Sequence, residues 1–175
     1  MGWKMMNINV LAMVSLVVLG ACMPRNLAPV PAMAPVDPAA AMAPAADDPA
    51  AISARVLQQV NILRANIGAP ALMPNPQLDA AAAAHSRDMS AQNRAWHWGS
   101  DGSSPLDRAR RQGFMGTIVG ENISETYEND METLAAWMST RDTRDVIMDP
   151  SASQLGFAFF REPSGKVWWT LLTAR

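Results

Sequence analysis

Two runs near the end of the chain, Leu155-Gly156-Phe157-Ala158-Phe159-Phe160 and Val167-Trp168-Trp169-Thr170-Leu171-Leu172, are apolar at nearly every position. Side chains of a strand alternate between its two faces, so runs of this kind need apolar cover on both sides. The intervening Glu162-Pro163-Ser164-Gly165-Lys166 has the composition of a hairpin turn. A third strand around Thr117–Thr126 would pair with them. The expectation is an α+β fold, with a small antiparallel sheet covered by helices on both faces.

Four helices can supply that cover. Asp48-Pro49 offers an N-cap and a first-turn proline, and Ile52, Val56, Val60, Leu63 and Ile67 then recur at helical spacing up to Gly68. Asn75-Pro76 opens a second helix, whose inward face reads Leu78, Ala82, His85, Met89. Its many alanines imply close approach to a neighbour. Ser104-Pro105-Leu106-Asp107 is a capping-box pattern for a short third helix ending at Gly113. Asn129 with Glu132 starts a fourth, with Met131, Leu134, Ala135 and Met138 on one face. Trp137, Trp168, Trp169 and the domain's methionines read as packing residues.

The N-terminal part follows different rules. Lys4 precedes an apolar run from Val10 to Ala21, too short to span a bilayer and fitting the h-region of a secretory signal. Leu19-Gly20-Ala21-Cys22 has the form of a lipobox, with the chain's single cysteine where acylation requires it. Lipidation there would leave no thiol for a disulfide, a nucleophile or a zinc ligand. From Met23 to about Pro49 the sequence is nearly all Ala, Pro, Met and Val, with too little bulk to bury, and reads as an extended tether. The expected organisation is a signal over 1–21, a lipidated Cys22 with a Pro/Ala-rich linker over 22–50, and one domain over 51–175. Methionine rather than aspartate after Cys22 resembles the outer-membrane sorting pattern of diderm bacteria, and places the protein in the cell envelope. The net charge is −2 and no basic block stands out; Arg108, Arg110 and Arg111 read as a solvated helix face beside Asp107. Nucleic acid is therefore not an expected partner.

The chain has only two histidines. His97 lies outside any amphipathic helix, between Trp96 and Trp98, and is the first candidate for site chemistry. Glu121, flanked by Gly120 and Asn122, could serve as a base or accept backbone amides at the entry to a strand. His85 shares its helical spacing with Leu78, Ala82 and Met89 and reads as a core histidine. Ser100, Ser103 and Ser104 lie near His97, but no Gly-x-Ser-x-Gly elbow accompanies them, and Asp101-Gly102 and Ser104-Pro105 read as turn and cap residues.

An ordered set of motifs then carries a resemblance. It runs through Asn61-x-x-Arg64-x-x-x-Gly68, Leu78-x-x-Ala-Ala, His85-Ser86-x-Asp88-Met89, His97-x-Gly99-Ser100-Asp101-Gly102-Ser103, Asp107-Arg108-Ala109, Gly120-Glu121-Asn122-Ile123 and Trp137-Met138. Residues 53–173 resemble the CAP superfamily of cysteine-rich secretory, antigen 5 and pathogenesis-related proteins, in its compact bacterial branch. The resemblance implies an α-β-α sandwich with a cleft built around a His/Glu tetrad. His97 stands at the first histidine position and Glu121 at the glutamate of Gly-Glu-Asn. Thr140 stands at the second glutamate, and Thr143, in Arg141-Asp142-Thr143-Arg144, replaces the histidine of a turn.

Two ligands are too few for tight zinc, so no cofactor is expected beyond weak divalent metal at His97 and Glu121 with waters or Asp101. The expected function is non-catalytic: binding a small apolar or lipid ligand, or an envelope component, in a cleft lined by His97, Glu121, Thr143, Asp101 and Trp98. The alternatives are a metal-assisted hydrolase, with His97 as ligand and Glu121 as base, and a purely structural module.

Overall fold

The computed structural model describes residues 48–175. The expected signal, Cys22 and nearly all of the Pro/Ala-rich tract lie outside the described residues. Nine elements follow in order: α1 (Pro49–Ala65), β1 (Met73–Pro74), α2 (Pro76–Gln92), α3 (Pro105–Arg111), β2 (Ile118–Ser124), α4 (Asp130–Ser139), α5 (Arg141–Met148), β3 (Gln154–Arg161) and β4 (Val167–Ala174). The first helix already begins at Pro49, capped by the Asp48 carboxylate, so ordered structure starts inside the stretch assigned to the linker.

The strands form one sheet in the order β1-β3-β4-β2. β4 is central, antiparallel to both β3 and β2. The expected antiparallel sheet is present as β2, β3 and β4, and β1 adds a short edge strand that pairs in parallel with the start of β3. A strand of two residues containing proline has no periodicity to read, and its position is set from outside. Asn61 does this, its side-chain amide donating to Leu72 O at 3.0 Å and its oxygen accepting from Leu72 N at 2.8 Å.

Each face of the sheet carries its own core. On one side Ile52, Val56 and Val60 of α1, Leu134 and Trp137 of α4 and Ile147 of α5 pack on Phe157, Trp169 and Leu171. On the other, Leu78, Ala81 and Ala82 of α2 and Ala109 of α3 pack with Phe114 on Leu172 and Ala174. Odd and even positions of β4 thus serve opposite cores, and all eight of its residues are buried. The alanines of α2 have the expected role. A Cβ on Gly156 of β3 would collide with the Cβ and the backbone carbonyl carbon of Leu78, so the helix rests directly on the strand.

Two helix readings change. α1 ends at Ala65, and Ile67, placed on its inward face by spacing, is 62% exposed. The Arg141–Arg144 segment, read as a turn, is the first turn of α5, which follows α4 across Thr140. The α1 position that replaces Ile67 in the interior is Arg64, which is fully buried. Its guanidinium donates to four backbone carbonyls, of Pro70 (2.7 Å), Ile147 (2.8 Å), Asp149 (2.9 Å) and Ala152 (3.1 Å). It thereby joins the loop before β1 to the end of α5 and the approach to β3.

Candidate functional site

Gly120-Glu121-Asn122 lies in β2 at an edge of the sheet, and each residue has a separate reason to be there. A Cβ on Gly120 would come within 2.7 Å of Val146, so glycine lets α5 approach the strand. Asn122 faces the same helix and donates to Thr143 O at 2.8 Å. Glu121 faces α2 and α3, where its side chain is only 2% exposed.

The Glu121 carboxylate is fully engaged. Oε1 accepts from His97 Nδ1 at 2.9 Å, and Oε2 accepts from an Arg108 terminal nitrogen at 2.5 Å. These are side-chain donors, not the backbone amides expected from the flanking residues. Arg108 is also the largest departure from the sequence reading. Its side chain is 6% exposed, whereas it was placed on a solvated face with Arg110 and Arg111. The other terminal nitrogen donates to His97 O and Ser103 O, both at 3.0 Å. One guanidinium therefore holds both ends of the 97–103 loop and the acid that orients His97. The Asp107-Arg108 pair within a capping box was the available signal. Spacing alone does not show that the second turn of a seven-residue helix faces inward.

The loop itself is built on Asp88 of α2, which accepts from Ser100 N at 2.7 Å and Ser100 Oγ at 2.6 Å. Asp101 accepts from Ser103 N at 2.9 Å and pairs with Arg111. Hydrogen bonds from Ser103, then Arg111, hold the Asp101 carboxyl well below the ordinary carboxylate range. Asp101 thus completes a turn and contacts neither His97 nor Glu121. Trp98 projects outward, 51% exposed.

His85 is buried beneath the same loop. Its Nε2–H donates to Trp96 O at 3.0 Å, it lies 3.9 Å from Glu121 Oε1, and its Nδ1 has no partner. It is a core histidine, as expected, but a half-satisfied one. Burial pushes its pKa below the ordinary 6.5; Glu121 opposes this and Arg108 reinforces it, while the Trp96 bond and Asp88 also pull upward. The unfolded chain therefore binds more protons than the folded one between the two values. Stability from this group is complete above about pH 6.5 and is lost as pH falls through the folded value. The wild-type melting temperature should fall on acidification across that window. His85→Gln keeps an N–H donor for Trp96 O and should flatten the dependence; equal slopes in both proteins would refute the assignment.

Thr143 does not join His97 and Glu121. Its hydroxyl donates to Trp137 O at 2.6 Å, satisfying a carbonyl at the end of α4. Thr143 and Thr140 instead line a shallow depression of about 290 Å³ with Ala95, Ile123 and Trp137. The tetrad positions are therefore occupied by one imidazole, one carboxylate and two hydroxyls. A tight metal site does not fit these residues. A cation on Glu121 would have to share Oε2 with the Arg108 guanidinium, and among the described residues no group of three or more His, Cys, Asp or Glu is arranged to hold a metal. What His97 offers chemically is its other ring nitrogen, Nε2, on a half-exposed imidazole whose Nδ1–H is held by Glu121.

The sequence-level model of the CAP, cysteine-rich secretory protein family matches residues 57–172. The chain belongs to this family. Solved structures share the fold of this CAP domain. An extracellular protein containing an SCP domain from Bacillus anthracis superposes with a TM-score of 0.67 at 21% identity, over 73% of this chain and 41% of that one. An outer surface protein of Borrelia burgdorferi gives 0.63 at 11% identity, over 70% and 90%. A cysteine-rich secretory protein of Staphylococcus aureus gives 0.59 at 15%, over 74% and 40%. The chain thus spans about two fifths of the Bacillus and Staphylococcus proteins. No curated protein sequence matches it.

A second feature of the CAP domain went unread as a site. Between α1 and α4 runs an open groove of about 240 Å³, lined by Gln59, Leu63, Met131, Leu134, Ala135 and Met138. At one end Arg55 of α1 pairs with Asp130 of α4 at 2.7 Å. The face Met131-Leu134-Ala135-Met138 was assigned to packing, and only part of it is packed. Leu134 is buried, whereas Ala135 is exposed and the two methionines are half-buried.

Proposed function

We propose that this is a cell-envelope protein whose CAP domain is a non-catalytic binding module, holding the apolar chain of a lipid-like ligand in the α1–α4 groove. The groove carries this reading: of its six lining residues only Gln59 is polar. Apolar surface left open between two helices gains from being covered by hydrocarbon. The Arg55–Asp130 pair gives the groove a polar end, where a ligand headgroup would meet water. Attachment through a lipidated Cys22 and the Pro/Ala-rich tract is part of the same proposal. The lipobox supports it, and the extracellular and outer-surface descriptions of the structural neighbours support the envelope location.

The His97–Glu121 pair has an architectural role in this reading. Its carboxylate has a guanidinium on one oxygen and an imidazole on the other, which leaves it poorly placed to act as the base of a metal-assisted hydrolase. The test uses the full chain carrying Cys22→Ser, so that no acyl group competes. Titration with cis-parinaric acid, a fluorescent long-chain fatty acid, should show saturable binding displaced by palmitate. Ala135→Glu puts a charge at an exposed groove position and should weaken binding about tenfold or more without lowering the melting temperature. His97→Ala should leave affinity unchanged. Absence of saturable binding, or loss of binding in His97→Ala alone, would defeat the proposal.

A further inference from the structure

Two of the six groove residues are methionines, Met131 and Met138, seven positions apart on α4 and so on one side of the helix with Leu134 and Ala135 between them. Both are half-buried: they pack against the main core yet border the open groove. A thioether in that position is both an apolar wall and a reachable nucleophile. We infer that Met131 and Met138 are oxidative modification sites, and that their conversion to sulfoxides empties the groove of its apolar ligand. The inference rests on the groove being the ligand site.

The chemistry needs a two-electron oxygen donor, of which hydrogen peroxide is the simplest. The methionine sulfur attacks one peroxide oxygen, an S–O bond forms and the O–O bond breaks. The sulfur is oxidised by two electrons, and the departing hydroxide takes the proton from the new S–OH group to leave as water. The product carries a strong acceptor oxygen. Within the groove only the Gln59 amide could donate to it, so an acyl chain laid over it would bury a polar group without a partner.

The chain provides its own internal references. Met115 is 89% exposed and Met73 65% exposed, both away from the groove, whereas Met89 is fully buried. Oxidation should therefore proceed first at Met115 and Met73, then at Met131 and Met138, with Met89 spared. Loss of binding should follow the groove pair and not the first pair.

The experiment treats the Cys22→Ser chain with graded hydrogen peroxide, maps sulfoxide by peptide mass, and titrates cis-parinaric acid at each stage. Affinity is expected to hold while only Met115 and Met73 are oxidised. It should fall about tenfold or more as Met131 and Met138 convert, and recover after treatment with both methionine sulfoxide reductases, one per sulfoxide epimer. Met131→Leu/Met138→Leu should bind before and after treatment alike. Binding that survives complete oxidation of Met131 and Met138, equal loss in the leucine variant, or groove methionines still reduced when Met89 has reacted would each overturn the inference. If the untreated protein does not bind parinarate, the ligand site itself is misassigned, a failure distinct from these.

Discussion

Methionine in place of Arg108 is expected to lower the free energy of unfolding by roughly 3–5 kcal/mol. The change leaves the Glu121 carboxylate, 2% exposed, without its cationic partner, and removes the donor to His97 O and Ser103 O. Breaking one side of a buried ion pair costs far more than replacing both sides, because the remaining charge stays desolvated. The double variant Arg108→Met/Glu121→Leu should accordingly be more stable than Arg108→Met alone. Urea denaturation of the four proteins in this cycle measures the coupling directly. A coupling below about 0.5 kcal/mol would mean that Arg108 does not organise the site.

Arg64→Met should be at least as damaging, on the order of 4 kcal/mol or more, for a different reason. Among the described residues no carboxylate hydrogen-bonds to Arg64; four backbone carbonyls do, from three separate stretches of chain. Burial lowers the guanidinium pKa, and Asp149 partly offsets that. One acceptor, Ile147 O, belongs to the last turn of α5, where the helix dipole places partial negative charge. Removing the guanidinium strands these acceptors in the interior and opens a cavity. Arg64→Lys should rescue little, since three donors on one nitrogen cannot reproduce a planar fork reaching four carbonyls. Chemical denaturation distinguishes the cases, and a lysine variant as stable as wild type would contradict the geometric argument.

Most of the architecture was legible because it obeys short-range rules. The Asp48, Asn75, Ser104 and Asn129 caps all form, and the Ser104–Asp107 box closes in both directions. Strands apolar on both faces forced a covered sheet. β1 and α5 escaped for a shared reason: neither carries a pattern of its own. β1 exists because Asn61 grips Leu72, and α5 starts at a threonine that makes no side-chain cap bond.

At the site, His97 and Glu121 could be paired from their flanking motifs, and they do meet. Arg108 could not, since a cationic side chain is assigned to water unless its counter-charge is known to come from elsewhere in the chain. The same limit hid Arg64. The groove was missed for the opposite reason, because an apolar helix face gives no sign of whether another element covers it.

The position of β4 has a consequence for how this domain comes into being. β4, which pairs with a strand on each side, is the last of the nine elements among the described residues, so what precedes it holds only the two-residue β1–β3 pairing, an unpaired β2 and two half-built cores. Without β4 the only ladder left is the two-residue β1–β3 pairing, so both halves of the sheet close through the final strand.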